Sequence, residues 1–197
     1  MADDVEYGMA TALVVVDCQN DFADPGGSLF VPGGEAVVEA ANAEIARAKA
    51  AGSLVVYTQD WHPPETPHFE AQGGPWPVHC VRDTWGAAFH PNLVVDGMIV
   101  QKGTGGEDGY SAFTMLDHGR EVHVKTPLQG ILDLFEVRHV VMVGLATDYC
   151  VRQSALDAVR LGFRCVVLRR AVAAVDLAPG DGERALAELA AAGVDVR

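Results

Sequence analysis

Six short runs dominated by Val, Ile, Leu and Met constrain the fold of this chain most. They fall at residues 12–17, Leu54–Asp60, Met98–Lys102, His139–Leu145, 164–168 and 194–196. A strand with one wet face alternates apolar and polar residues. A run that is apolar throughout is buried on both faces, which is the habit of a parallel sheet. Between the runs lie segments with apolar residues at helical spacing: 35–51, 127–135, 147–161 and 182–192. Gly52 and Gly162 stand as helix stops, and Thr126 as an N-cap with Pro127 in the first turn. Strand and helix alternate, which predicts the α/β class: three α/β/α layers around a mostly parallel, six-stranded, Rossmann-like sheet with right-handed crossovers. No repeat or linker divides the chain, so one domain spanning 1–197 is expected, with residues 1–10 a flexible extension.

Hydrophobic residues make up 49% of the 197, enough to fill such a core. The net charge of −13 repels phosphate, which argues against nucleic acid and anionic membranes as partners. No apolar stretch reaches the roughly 18 residues needed to cross a bilayer, and the acidic first residues do not read as a signal peptide. The four cysteines, Cys18, Cys80, Cys150 and Cys165, form no paired framework. A reducing cytoplasm is therefore the expected location. Oligomeric state is left open, a homo-oligomer being compatible with the sequence.

Ligands of an open parallel sheet bind beyond the carboxyl ends of its strands. The first strand ends in Asp17 and the second in Asp60, with His62 two residues on. The third ends in Lys102, and the fourth leads through the elbow Gly144–Asp148 to Cys150. Cys150 reads as a nucleophile at a helix start, where the helix dipole and Lys102 would favour the thiolate. Asp17 would take the thiol proton and pass it to a leaving amine. Backbone N–H groups of Ala146 and Cys150 are the natural oxyanion donors. Asp60, His62 and His79 suit one divalent metal ion, zinc before iron or manganese, and His68 offers a further ligand from the same long loop, 61–92. Phe22, Trp76 and Tyr110 are candidate walls for a flat substrate. Cys18, Cys80 and Cys165 read as structural, and His90, His118, His123 and His139 carry no such arrangement.

Five stretches bear a family likeness: Asp17-Cys-Gln-Asn-Asp-Phe22, Thr58-Gln-Asp-Trp-His62, Trp76-Pro-Val-His-Cys80, Lys102-Gly, and Gly144-Leu-Ala-Thr-Asp-Tyr-Cys-Val151. In these the chain resembles the nicotinamidases, among the isochorismatase-like cysteine hydrolases. The resemblance implies a catalytic triad of Asp17, Lys102 and Cys150, and metal binding by Asp60, His62 and His79 with His68 as an extra ligand. It also implies a cis peptide between Leu145 and Ala146, and a pyridine ring held between Phe22 and Trp76. The implied reaction takes nicotinamide to nicotinate and ammonia through a Cys150 thioester, a step of NAD salvage and pyridine nucleotide synthesis. Pyrazinamide is a second implied substrate. The alternative is a related cysteine amidohydrolase acting on another small amide. The loop 105–108 looks individual to this chain and carries no inference.

Overall fold

The structure, a computed structural model, describes residues 5–197. Six strands form one parallel sheet: β1 (Thr11–Val16), β2 (Leu54–Asp60), β3 (Met98–Lys102), β6 (His139–Leu145), β7 (Arg164–Ala173) and β8 (Asp195–Val196), in the spatial order β3-β2-β1-β6-β7-β8. The helices are α1 (Asn20–Ala23), α2 (Gly34–Ala50), α3 (Leu128–Leu134), α4 (Arg152–Arg160) and α5 (Asp181–Ala191). Side chains alternate across a strand, and both sets are buried here. Leu13 and Val15 join the core under α2, while Ala12, Val14 and Val16 join the core that includes Leu128 and Leu132 of α3 and Ala155 of α4. This double burial, shared by β2 and β6, is why those strands read as unbroken apolar runs; β3, at the sheet edge, buries only Val100 and Lys102. Among the described residues no helix is long and apolar enough to cross a membrane.

The chain winds outward from β1 to β2 and β3, then returns and winds the other way through β6, β7 and β8. The order therefore reverses between β1 and β6, and side chains at their carboxyl ends open onto a common crevice. The two strands approach closely there. A Cβ on Gly144 would stand 2.0 Å from the Val16 carbonyl oxygen, and Gly144 has φ of 114°. Only glycine meets both conditions.

The structure departs from the sequence reading at several places. A two-stranded antiparallel hairpin, β4 (Thr114–Asp117) with β5 (Val122–Lys125), stands between the third apolar run and the helical segment 127–135, where no strand was expected. β7 runs five residues beyond the expected end at 168, past a register shift opposite Met142 and Gly144. The segment 147–161 is not one α-helix. Thr147–Val151 forms a wide π-turn, in which Val151 N–H donates to the Ala146 carbonyl, and α4 begins only at Arg152. Thr126 serves α3 from one residue further out than an N-cap, its hydroxyl accepting the Leu128 N–H. Of the expected N-terminal extension, residues 1–4 lie outside the described residues. Residues 5–10 pack on the domain: Val5 is buried, and the Tyr7 hydroxyl donates to the buried Glu44 at 2.8 Å.

Gly144→Ala should destabilise the fold by about 3 kcal/mol or more, since it adds both a backbone collision and a disfavoured φ. Urea unfolding with an unchanged midpoint would contradict this account of the β1–β6 contact.

Candidate active site

The strand ends deliver the expected side chains to one place. Asp17 follows β1 and is fully buried. Its Oδ1 accepts the Thr58 hydroxyl at 2.6 Å, and its N–H donates back to the same oxygen at 3.2 Å. Asp60 and Lys102 are the registered last residues of β2 and β3, so their contact follows from strand pairing. The Lys102 ammonium donates to Asp60 Oδ1, lies 2.9 Å from Asp17 Oδ2 and 3.6 Å from Cys150 Sγ. One oxygen each of Asp17 and Asp60 and the Cys150 sulfur lie within 4.8 Å of one another. One buried ammonium thus touches two carboxylates and a sulfur.

Burial pushes the Cys150 thiol well above its ordinary range. Lys102 pulls the other way, and Asp17 and Asp60 add to the rise. Burial raises Asp17 too, against the pull of Lys102 and with the repulsion of Asp60. Burial works against the charge on Lys102, but the two carboxylates hold its proton firmly. Lys102 favours the thiolate, as expected from the sequence, but burial and the two carboxylates outweigh it. Charge counting gives the reason. With both carboxylates and the ammonium ionised the cluster carries −1, and a thiolate would make it −2. Moving the proton from sulfur to Asp17 keeps the total at −1. The arrangement favours direct transfer inside the cluster over loss of the proton to solvent.

Beside this cluster His62, His68 and His79 come together, with one ring nitrogen from each within 4.8 Å of the others. His79 Nδ1 is engaged by the Pro77 carbonyl at 2.7 Å, and His68 Nδ1 by Asp108 at 2.5 Å, which leaves each Nε2 free to ligate. His62 is buried with neither ring nitrogen partnered. An unpaired buried imidazole is costly, and a metal ion would satisfy it. Burial lowers the His79 pKa to about 4, so its ring stays neutral, as ligation requires. Asp60 joins the two halves: Oδ1 serves Lys102 while Oδ2 lies 3.8 Å from His62 Nε2. The residues present fit a borderline divalent ion.

Phe22, Trp76, Tyr110, Ala146 and Cys150 line one pocket, together with the largely buried Asp60, His68 and His79. Its walls are largely aromatic and apolar, with a few convergent polar groups, as in small-molecule sites generally. Trp76 Nε1 donates to the Tyr110 hydroxyl at 2.9 Å, which anchors both walls. The Leu145–Ala146 peptide is cis. Sequence reasoning missed Tyr149, which packs edge-on against Trp76 with ring centroids 4.9 Å apart. It missed Gln19, whose side chain brackets the Asp60 backbone, accepting its N–H at 2.8 Å and donating to its carbonyl at 2.7 Å. It also missed Asp21, which accepts the Cys80 N–H at 2.7 Å and so steadies the chain beside His79. Gln19 and Asp21 alternate with Asp17 at a spacing of two, a signal that was available. Asp108, set aside with its loop, proves to bind His68 and His118.

Residues 11–197 match the isochorismatase domain family. The chain is 38% identical to the nicotinamidase of Escherichia coli (strain K12), over 92% of each chain. Among solved structures it is similar to the pyrazinamidase of Pyrococcus horikoshii in complex with zinc. The TM-score is 0.84 and the identity 42%, over 95% of this chain and 98% of that one. It is also similar to PnC1 from L. infantum in complex with nicotinate, with a TM-score of 0.87 and 38% identity, over 98% and 95% of the two chains.

Cys150 alone of the four cysteines lines the pocket. Iodoacetamide should therefore modify it ahead of Cys18, Cys80 and Cys165. Because its thiol is held above the ordinary value of 9.0, the rate should still climb above that pH. Peptide mapping that finds Cys18 or Cys165 modified equally fast, or a rate already flat by pH 8, would contradict this geometry.

Proposed function

The chain belongs to the isochorismatase domain family, and from that premise we propose that it is a cysteine amidohydrolase converting nicotinamide to nicotinate and ammonia. One observation carries the reading: an aromatic-walled pocket is lined by Cys150, which is backed by Lys102 and Asp17, and by Asp60, His68 and His79, with His62 beside them. Phe22 and Trp76 hold the pyridine ring by its faces. Asp17 takes the proton from Cys150 as the sulfur attacks the carboxamide carbon, and the Lys102 ammonium stabilises the charge left on sulfur. The N–H groups of Ala146 and Cys150 receive the oxyanion; one such donor is typically worth about 2.7–4 kcal/mol in the transition state. Asp17 returns the proton to the departing nitrogen, ammonia leaves, and a nicotinoyl thioester remains on Cys150. Asp17 then draws a proton from water, which attacks the thioester and frees nicotinate and the thiol.

His62, His68 and His79 with Asp60 would hold one divalent ion, for which the imidazole-rich set favours zinc. When bound, it supplies a Lewis-acidic contact for the ring nitrogen. Pyrazinamide, equally flat and of similar size, fits the same walls.

Purified protein should release ammonia from nicotinamide and from pyrazinamide. Cys150→Ala should lower kcat by about 10⁴-fold or more. Chelation should lower turnover and added zinc should restore it. A substrate panel in which aliphatic amides turn over faster than either aromatic amide would move the protein to another amidohydrolase class. Undiminished turnover by Cys150→Ala would remove the thioester.

A further inference from the structure

We propose that Asp108 is a positioning residue for the metal centre: its carboxylate fixes the tautomer and direction of His68, and thereby sets the site's affinity for a zinc-class ion. The inference rests on the metal reading above. Asp108 lies in the loop between β3 and β4. Its Oδ1 meets His68 Nδ1 at 2.5 Å and accepts the Gly109 N–H at 2.7 Å, while its Oδ2 meets His118 Nε2 at 3.1 Å. The Asp108 backbone pairs in both directions with Leu116 of β4, at 2.8 and 2.5 Å. Main chain and side chain are both tied, so the carboxylate cannot easily swing away from the imidazole.

The chemistry follows from the two ring nitrogens. A neutral imidazole carries its proton on one and a lone pair on the other. A carboxylate at Nδ1 places the proton there and turns the Nε2 lone pair toward His62 and His79. It also makes the ring a better donor to a cation than a neutral carbonyl partner would. His79 has such a neutral partner in Pro77, and His62 has none. Asp108 is thus the only charged outer partner of the three-histidine group among the described residues. The β4–β5 hairpin gains a purpose as well, since Leu116 and His118 hold Asp108 against the site.

The test is a zinc competition titration against a chromophoric chelator, on full-length protein stripped of metal. Asp108→Ala should bind zinc about 10–100-fold more weakly than the wild type. Asp108→Asn keeps an acceptor oxygen without the charge, and should recover part of the loss; it also carries the test if the alanine variant fails to fold. In a His68→Ala background, Asp108→Ala should cost nothing further, because the carboxylate acts through that ring. A role in folding alone would give equal losses in both backgrounds, and that result would overturn the proposal. So would zinc affinity unchanged in both Asp108 variants while the wild type binds normally. A wild-type chain that takes up no zinc would instead sink the metal centre itself.

Discussion

A lysine ammonium with no access to water touches Asp17, Asp60 and Cys150 at once. Two carboxylates cannot sit in a dry site without a cation between them, and breaking such a buried group typically costs about 3–5 kcal/mol. Lys102 therefore holds the site together before any substrate arrives. It also links two kinds of chemistry. On one side it neighbours Asp17 and Cys150; on the other Asp60 leans toward the histidines. Charge on either side is felt on the other through one nitrogen. The acid and the thiol both keep their protons more firmly than in water, so the proton is poised to move between them.

The sheet makes this meeting unavoidable. Asp60 and Lys102 are neighbours because β2 and β3 pair in that register, and Asp17 is drawn in by Thr58 of β2. Cys150 arrives from the other half of the sheet, across the reversal between β1 and β6 where Gly144 lets the strands close up. The wide turn at Thr147–Val151 brings Ala146 and Cys150 to the pocket together. Function here depends on where four strands stop.

Much of this was legible in the sequence. Leu54–Asp60 and His139–Leu145 have the boundaries that their apolar runs indicate, because double-sided burial leaves an unmistakable pattern; Met98–Lys102 keeps its boundaries too, although at the sheet edge it buries only Val100 and Lys102. The meeting of Asp17, Asp60 and Lys102 was legible because each stands at or just beyond a strand end, Cys150 because it follows the elbow after β6, and the histidines because they share the long loop after β2. What escaped notice rests on other forces. Arg169 and Arg170 break the apolar pattern of β7, yet the strand continues because both reach acidic partners, Glu183 and Glu44. The β4–β5 hairpin buries little, so its residues show weak alternation. Asp108 and His68 are 40 residues apart, and no local pattern announces a carboxylate that serves a distant ring. The raised thiol of Cys150 reflects burial and two nearby carboxylates, neither of which spacing alone reveals.

The central claim is that the sulfur placed between Asp17 and Lys102 becomes covalently acylated during turnover. Acid quenching of the protein while it turns over nicotinamide, followed by peptide mass spectrometry, tests it directly. A nicotinoyl group on the peptide carrying Cys150, appearing with turnover and vanishing when substrate is exhausted, is the predicted result. Steady ammonia release with that peptide unmodified at every quench time, or with the acyl group on another residue, would contradict it.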